Sequence, residues 1–544
     1  MANDIEALGH LTQIINGLGP EQVPGEITPL LEHGSRSLIA RIITGNQIEP
    51  VLGVLGSIEG ALGQVGSPKD RTSLGEKAVG TVVDTLRGEH FQPDSPNSSL
   101  ALVEQASRFA ELIEDPREKA IQLRNISAET ARVCAAEVGE AGASDMGWYS
   151  NIYLNKAAVS AQGIDDLGAR SFTLSRIAET AAENASQLVG GISKSDDEHH
   201  MLTVTDLLEQ PAWLYERALV AADTIKDPAE RNDQKAELAL SMAQSAAKTG
   251  EVAPELSGKL ANMAMKEIAD VLAAYRADGE RVKLSPAEKC RGLVDLGSKL
   301  ARIIDEDHNP SDQNKALRQQ LAGQTINVFR AARVYSEELS RSHGLVKGRF
   351  APNRYNLAGS SSNTATAAGR LVGTNFGVAK ELFEIGFGFA VIQAKLGGRH
   401  SRDISSVLDT IGSYAKSQTN IESGFDLYSL AHHQLNQRLA GDKVSHIMEV
   451  NARRALLYLS EAPIREMALE KIDRGFIEFI VRVATTDSHV SWISDLHWLG
   501  RYIADPELKQ TVDKAIENLR TREEAARRPR SETARIAQEI VGGR

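Results

Sequence analysis

The chain has 544 residues, of which 5% are aromatic, and it carries a net charge of −12 at pH 7. This length is too great for one ordinary core and predicts about three domains or one elongated array. The scarcity of aromatic residues disfavours a β-sandwich, and the negative charge argues against a nucleic-acid partner.

The chain contains two cysteines, Cys134 and Cys290, which are too few for a disulfide framework in a protein of this size. The N-terminus lacks the basic start and apolar run of a secretory signal, and no apolar run reaches the ~18–20 residues that a membrane-spanning helix needs. We therefore expect a reduced, cytoplasmic protein without a transmembrane segment. No cofactor or metal is expected, because no motif for either is present.

The first region, residues 1–95, has recurrent glycines and is predicted to be helical. Between residues 48 and 66 these are Gly53, Gly56, Gly60, Gly63 and Gly66. The spacing of Gly56 and Gly60 favours two helices in close approach. Loosely packed soluble helices are one interpretation, and a membrane-active segment, as in a delivered effector or toxin-like protein, is the other. Residues 88–99 contain two prolines and several short polar residues, which predicts a linker.

A helix-start phrase recurs along the chain: a short polar residue, then proline, then an acidic residue two positions after the proline. The short side chain accepts a hydrogen bond from a free N–H of the first turn, proline needs no N–H there, and the acid faces the positive end of the helix dipole. Each copy therefore predicts the start of a helix. The prolines of the five copies, followed by that of a looser sixth, are Pro68, Pro116, Pro228, Pro286, Pro310 and Pro506.

From residue 100 to about residue 340, apolar residues recur at helical spacing, and the apolar stripes run into these helix starts. The pattern predicts a repeated unit of helix, short turn and capped helix, in which short connections make neighbouring helices antiparallel. The turn prolines at positions 116, 228, 310, 463 and 506 are 112, 82, 153 and 43 residues apart. These separations are close to small multiples of ~37–43 residues, a length typical of helical-hairpin repeats.

On these features the chain resembles α-helical hairpin repeat proteins of the HEAT-like or tetratricopeptide-like kind. The segments that carry the resemblance are residues 109–116, 222–228 and 502–506. The resemblance is architectural and covers residues 100–340 and 400–520. It implies an all-α fold of antiparallel helical hairpins, stacked as an α-solenoid-like array or as two arrays joined by a loop.

Residues 341–380 interrupt the helical pattern. They contain six basic residues and no acidic one, and residues 359–364 have the composition of a loop. The predicted organisation is therefore a glycine-rich helical region at 1–95, a helical-hairpin array at 96–340, a basic Gly/Ser-rich loop at 341–380, a second helical array at 381–520 and a charged C-terminal tail at 521–544.

The basic loop holds the first candidate site, for an acidic protein partner or a small anion. Arginine forks match carboxylate and phosphate groups, and neighbouring aromatic rings could cap a ligand. The candidate residues are Arg341, Lys347, Arg349, Phe350, Arg354, Tyr355 and Arg370. The alternative interpretation is that this loop pairs with the acidic surface of its own protein or connects two arrays.

A second candidate site is a pocket near the C-terminal end, where aromatic rings lie among titratable groups. Polar groups that converge on apolar walls are typical of small-molecule sites. The residues concerned are His489, Trp492, Asp495, His497 and Trp498. A helix–helix seam with histidines at its rim is the alternative interpretation.

The sequence contains no complete P-loop, nucleophile elbow, zinc-protease motif or dinucleotide fingerprint, which leaves the protein without an enzyme signature. The first functional hypothesis is a non-catalytic scaffold that binds a partner protein or peptide on a helical-repeat surface. One alternative is an all-helical enzyme or small-anion-binding protein with its site between the two arrays. The other is the delivered effector with a membrane-active N-terminus.

Overall fold

A computed structural model gives the structure of the protein. It describes residues 2–31, 48–87, 96–136, 143–192, 198–276, 285–305, 312–343, 359–395, 474–487, 492–501 and 505–542, together with isolated positions between 407 and 430 and residue 503.

The regular structure of these ranges is helical throughout, which confirms the prediction of an all-α fold. The helices are α1 (Ala2–Asn16), α2 (Val23–Pro29), α3 (Ile48–Gly63), α4 (Pro68–Arg87), α5 (Pro96–Glu111), α6 (Pro116–Ala136), α7 (Ala143–Gln162), α8 (Leu167–Ile192), α9 (Glu198–Asp223), α10 (Pro228–Thr249), α11 (Pro254–Arg276), α12 (Pro286–Asp305), α13 (Asp312–His343), α14 (Ser360–Leu371), α15 (Phe376–Lys395), α16 (Arg474–Asp487), α17 (Trp492–Gly500) and α18 (Pro506–Gly542).

The chain divides into two compact units. Unit 1 comprises Met1–Val282 and Asn309–Leu317, and unit 2 comprises Lys283–His308 and Arg318–Arg544. The five-part organisation drawn from the sequence stays a prediction. None of the described helices combines the length and apolarity that crossing a bilayer requires.

Unit 1 is built of helical hairpins arranged in two layers. Helices α4, α6, α8 and α10 pack side by side in one layer, and α3, α5, α7, α9 and α11 pack side by side in the other. Each helix also packs against its neighbour in the chain, which lies in the opposite layer. This stacking of hairpins in chain order is the predicted α-solenoid-like arrangement. We call the first set of helices the capped layer, because all four begin at a capping residue.

The predicted helix starts are confirmed at Pro68, Pro116, Pro228, Pro286 and Pro506. The carboxylate of Asp227 accepts hydrogen bonds from the backbone N–H groups of Ala229 at 2.7 Å and Glu230 at 3.3 Å. Asp115 caps α6 in the same way. These contacts satisfy N–H groups that have no partner within the helix. The remaining proline of the set, Pro310, lies outside the described residues.

One capping residue of the capped layer is absent from the predicted set. Asp166 caps α8 by accepting a hydrogen bond from the N–H of Ala169 at 2.6 Å, but Leu167 stands where the other copies have proline. With this copy included, the four caps Ser67, Asp115, Asp166 and Asp227 are 48, 51 and 61 residues apart. The predicted repeat length of ~37–43 residues is therefore wrong, because only two helix pairs, not three, lie between Pro116 and Pro228.

The capped turns share a second feature, a basic residue four positions after the cap. These residues are Arg71, Lys119, Arg170 and Arg231. Three of them donate a hydrogen bond back to the carbonyl oxygen two positions before the cap, in the pairs Arg71 to Val65 (3.1 Å), Arg170 to Ile164 (2.8 Å) and Arg231 to Ile225 (3.3 Å). Each of these carbonyls lies in the turn, two positions after the end of the preceding helix, where it has no helical hydrogen bond. The turn is thus closed from both sides.

Two segments predicted as linker or loop are partly helical. Residues 96–99 form the first turn of α5, and α14 begins at Ser360 after Gly359, which has a positive φ of 95°. Within α14 the hydroxyl of Thr364 donates to the carbonyl of Ser360 at 2.6 Å, and both residues are buried. Close packing of small residues overrides the loop preference that their composition suggests. Helix α18 likewise continues through the predicted tail to Gly542.

The glycines of α3 do not mediate close helix packing. Gly53, Gly56, Gly60 and Gly63 lie on the exposed face of α3, and no described atom lies within 4 Å of a Cβ placed on any of them. Among the described helices, the close approach predicted at Gly56 and Gly60 is therefore absent. The apolar face of α3, which is buried, holds the helix in unit 1 instead.

Candidate protein-interaction face

The predicted basic site is only partly within the described residues. Arg341 is exposed near the end of α13. The Arg370 guanidinium lies 3.8 Å from the carboxylate of Asp305 on α12, so it pairs with an acid of its own unit. The five other candidates, Lys347, Arg349, Phe350, Arg354 and Tyr355, lie outside the described residues.

The residues of the predicted tryptophan pocket divide between core and surface. Trp492 is fully buried in unit 2, Asp495 is half-buried, and His497 is exposed with its Nε2 2.8 Å from a guanidinium nitrogen of Arg520. Trp492 therefore belongs to the core and His497 to the surface, and the pocket stays a prediction. His489 and the side chain of Trp498 lie outside the described set. Within that set, no three His, Cys, Asp or Glu residues are grouped as a metal site requires.

The strongest candidate surface lies instead on α7 and α9, which are neighbours in the second layer of unit 1. Four of the eight large apolar side chains most exposed in the described residues belong to these two helices, namely Trp148, Val159, Trp213 and Val220. Within each helix the two residues are separated by 11 or 7 positions, so they share one face. Trp148 is 55% exposed and Trp213 is 39% exposed.

A buried glutamine connects the two helices beneath this surface. The Gln210 amide nitrogen lies 3.4 Å from the backbone oxygen of Asn151 and 3.3 Å from Oδ1 of Asn155, so it ties α9 to α7. Gln210 is only 8% exposed. Its Oε1 and the Oδ1 of Asn151 are buried and accept no hydrogen bond from any described group. Buried acceptors without a donor are rare because each one costs free energy.

A proline in α9 leaves one further acceptor at the same level. Pro211 follows Gln210 inside the helix and has no N–H. The carbonyl of Leu207 consequently receives no helical hydrogen bond from position 211. We call the surface formed by Trp148, Asn151, Asn155 and Val159 of α7 and by Gln210, Trp213 and Val220 of α9 the α7–α9 face.

The exposed side of α9 is acidic. Asp206, Glu209 and Glu216 are exposed, and no described cation forms an ion pair with them. Glu209 and Glu216 lie four positions before and three positions after Trp213, on the same face of the helix. The nearest opposing charge in sequence is Arg217, whose guanidinium stacks 4.2 Å from the centre of the Trp213 ring.

The α7 side is ordered by a row of aromatic rings. The Trp148 and Tyr149 rings meet edge to face with their centres 5.2 Å apart, and the Tyr149 and Tyr153 rings stack at 6.5 Å. Burial raises the pKa of the Tyr153 phenol. The one basic residue of this stretch, Lys156, is 3.3 Å from a carboxylate oxygen of Glu111 on α5. Trp148 is thus a pre-positioned apolar group on a surface with little free positive charge.

Sequence reasoning missed this surface because it followed the tryptophans nearest to histidines. The available signal was the pattern around Trp213, in which charged residues at helical spacing place the ring on a solvent-facing stripe. The sequence did not indicate the unpaired amide oxygens, because an Asn or Gln in a helix has the same sequence pattern whether or not its amide finds hydrogen-bond partners.

No family model matches the chain, and no curated protein matches its sequence. Among solved structures it is similar to a circular tandem repeat protein with novel repeat topology and enhanced subunit contact surfaces. The two are 16% identical, the alignment covers 96% of this chain and 100% of that one, and the TM-score is 0.39.

Proposed function

We propose that the protein is a non-catalytic interaction scaffold, and that a partner protein or peptide docks on the α7–α9 face. The observation that carries the proposal is the combination of two exposed tryptophans with a buried glutamine whose acceptor has no donor. Either feature alone is common on a helical surface. Together they describe a surface that gains both apolar burial and hydrogen bonds when it is covered.

The tryptophans would supply most of the binding energy. A tryptophan buries roughly 150–250 Å² when fully covered, so covering the exposed half of one ring contributes about 2–3 kcal/mol at ~25 cal/mol per Å². Tryptophan is also among the residues most enriched at the energetic centres of protein interfaces. Trp148 and Trp213 are the natural anchor points on this face.

The amide oxygens would supply orientation. Both oxygens are buried in the uncovered protein, so a partner's donor would reach Gln210 Oε1 or Asn151 Oδ1 once the amide turns outward. The contact would then remove a desolvation penalty of about 1–3 kcal/mol. Because α7 and α9 are separated by one antiparallel helix, they run in the same direction. Two parallel helices at ~8–10 Å form a groove with a defined polarity, which suits a single segment of a partner.

The test is selection of peptides from a random phage-displayed library on the full-length protein, followed by binding measurements with variants. The double variant Trp148→Ala/Trp213→Ala is expected to lose the selected peptides. Phe172→Ala is the matched control, because Phe172 is also an exposed aromatic residue, at 51%, but lies on α8 in the capped layer. All three substituted side chains are exposed, so the fold is expected to persist, and circular dichroism checks this.

Two outcomes contradict the proposal. Selection that yields no binding peptide removes the scaffold function from this chain. Peptides that bind the tryptophan variant as tightly as the unmodified protein place the docking surface elsewhere.

A further inference from the structure

We infer that the segment received by the α7–α9 face is cationic and bears lysine or arginine side chains. This inference rests on the proposed function and adds the chemistry of the partner. Three independent features of the face support it: the polarity of its open hydrogen-bonding groups, its charge and the nature of its aromatic residues.

Both buried side-chain atoms of the face that lack a partner are acceptors. They are Gln210 Oε1 and Asn151 Oδ1, which accept no hydrogen bond from a described group. An ammonium group brings three donors and a guanidinium brings five, and neither carries an acceptor. A carboxylate or phosphate brings acceptors only, so it would leave these oxygens unpaired. Hydrogen-bond chemistry therefore selects a donor-rich ligand.

Charge on the rim selects the same kind of ligand. The exposed side of α9 has three carboxylates, those of Asp206, Glu209 and Glu216, and one guanidinium, that of Arg217. The guanidinium already stacks on the Trp213 ring. In the capped layer, by contrast, Glu129 and Glu183 each have a cation of their own, Arg87 at 2.9 Å and Lys248 at 2.6 Å. The carboxylates of the α7–α9 face are thus available to a positively charged partner.

The aromatic groups also favour cations. The stacking of Arg217 on Trp213 shows that a guanidinium fits against this ring in the environment of the face. The Trp148 ring makes an edge-to-face contact with Tyr149 and is 55% exposed. Part of its ring surface is therefore available to a ligand. A lysine or arginine placed on a tryptophan ring is attracted by the negative face of the ring.

The experiment uses three fluorescein-labelled dodecapeptides that differ only in charge. Each repeats a four-residue block three times: lysine–leucine–alanine–lysine, glutamine–leucine–alanine–glutamine, or glutamate–leucine–alanine–glutamate. Fluorescence anisotropy with the full-length protein at physiological ionic strength is expected to show the cationic peptide binding about tenfold more tightly than the neutral one. No binding of the acidic peptide is expected.

Charge variants separate a specific face from general attraction to an acidic protein. Glu209→Gln/Glu216→Gln is expected to weaken binding of the cationic peptide about fivefold, since each screened surface contact contributes about 0.5 kcal/mol. The control Glu21→Gln/Glu26→Gln removes two exposed carboxylates near α2, with the same change in net charge, and is expected to leave the affinity within about twofold. Equal weakening by both pairs would overturn the inference, because binding would then follow net charge alone.

The remaining outcomes distinguish the inference from the function on which it rests. If the neutral peptide binds as tightly as the cationic one and Trp148→Ala/Trp213→Ala abolishes that binding, the docking function stands and the cationic chemistry is wrong. If no peptide binding depends on the tryptophans, both are wrong. If sedimentation velocity shows a dimer that the tryptophan variant dissolves, the face pairs with a second copy of the chain, which also overturns both.

Discussion

The capped layer and the α7–α9 face belong to the same unit but use polar side chains in opposite ways. In the capped layer, the Glu129 carboxylate is only 3% exposed and is held between Arg87 on α4 and Arg132 on its own helix. On the α7–α9 face, Gln210 is also buried, at 8% exposed, but keeps an acceptor without a donor. The comparison separates a buried carboxylate that is fully paired from a buried amide that is only partly paired.

The interface between the two layers behaves like the capped layer. Ser241 on α10 is the centre of a closed network, in which it contacts the Tyr215 hydroxyl at 2.7 Å, accepts from Ser175 at 3.0 Å and donates to Glu179 at 2.6 Å. Tyr215 is completely buried, and burial raises the pKa of its phenol. A fully satisfied network fixes helix register without exposing a reactive group. Among the described residues of unit 1, the buried side-chain acceptors without a hydrogen-bond donor lie on helices of the second layer.

The largest expected effect comes from one substitution type made in both environments. Asn184→Ala removes two donated hydrogen bonds, to Ser127 Oγ at 2.9 Å and Ser150 Oγ at 3.0 Å, inside the closed core. It is expected to lower the free energy of unfolding by about 2–4 kcal/mol, because it removes the amide donor to two buried hydroxyls and opens a cavity. Asn151→Ala, on the α7–α9 face, is expected to cost less than about 1 kcal/mol, because no hydrogen bond to its Oδ1 is lost.

Urea denaturation followed by tryptophan fluorescence measures both variants, because Trp148 and Trp213 report on unit 1. If Asn184→Ala and Asn151→Ala lower the free energy of unfolding equally, the distinction between the fully paired amide and the unpaired one is wrong.

A smaller effect is expected at the helix caps. Asp227→Ala removes the acceptor of two backbone N–H groups at the start of α10 and should lower the free energy of unfolding by about 1 kcal/mol. Asp166→Ala is the matched change at the copy without proline and should cost a similar amount, because its carboxylate contacts the same kind of N–H group. Thermal denaturation measures both variants. If Asp166→Ala leaves the stability unchanged, Asp166 is not a helix cap equivalent to Asp227.

The features of the fold that could be predicted are those set by interactions between residues close in sequence. Pro116 and Pro228 mark helix starts because their phrases act within one turn, and the helical apolar stripes predict the all-α fold. The repeat length escaped prediction because it depends on Asp166, where leucine replaces the marker residue. Residues at 359–364 were predicted as a loop because serine favours loops in isolation, whereas burial of Ser360 and Ser361 in a close helix contact decides the outcome.

The candidate surface was not predictable in the same way. Whether Gln210 finds a donor depends on which residues of α7 lie opposite it, and that register is set by packing over a separation of more than 50 residues. Exposure of Trp148 depends equally on the absence of a covering helix at its position. Sequence periodicity indicates which residues share a helix face, but it does not say which face stays uncovered.

The next effect is small because two contributions oppose each other. Gln210→Met keeps the volume of the side chain and removes an acceptor that no described donor reaches, but it also removes the two long hydrogen bonds that the amide nitrogen donates to Asn151 and Asn155. Stability is expected to change by less than about 1 kcal/mol, because the loss of these bonds is offset by removal of the unsatisfied buried acceptor. Affinity for a bound peptide should fall in the same variant. A clear loss of stability would show that the glutamine is structural, and it would weaken the case for an open face.

The smallest effect concerns Glu111, which joins α5 to both layers through Lys119 at 2.6 Å and Lys156 at 3.3 Å. Partial burial acts to raise the pKa of this carboxyl, but the hydrogen bonds and positive charges of the two lysines outweigh it, so the pKa lies below its ordinary value of 4.5. A lowered acid pKa stabilises the folded state above about pH 4.5, and this contribution disappears as the pH falls through the folded-state value. Because the side chain is nearly half exposed, Glu111→Gln should cost only about 0.3–0.5 kcal/mol at pH 7 after solvent screening.

Urea denaturation at pH 7 and near pH 3 measures this contribution. The difference in stability between Glu111→Gln and the unmodified protein should vanish in acid, and the control Glu21→Gln should show no difference at either pH. A difference that persists in acid would mean that the substitution acts through packing, and the ion pairs would then have no part in joining the layers.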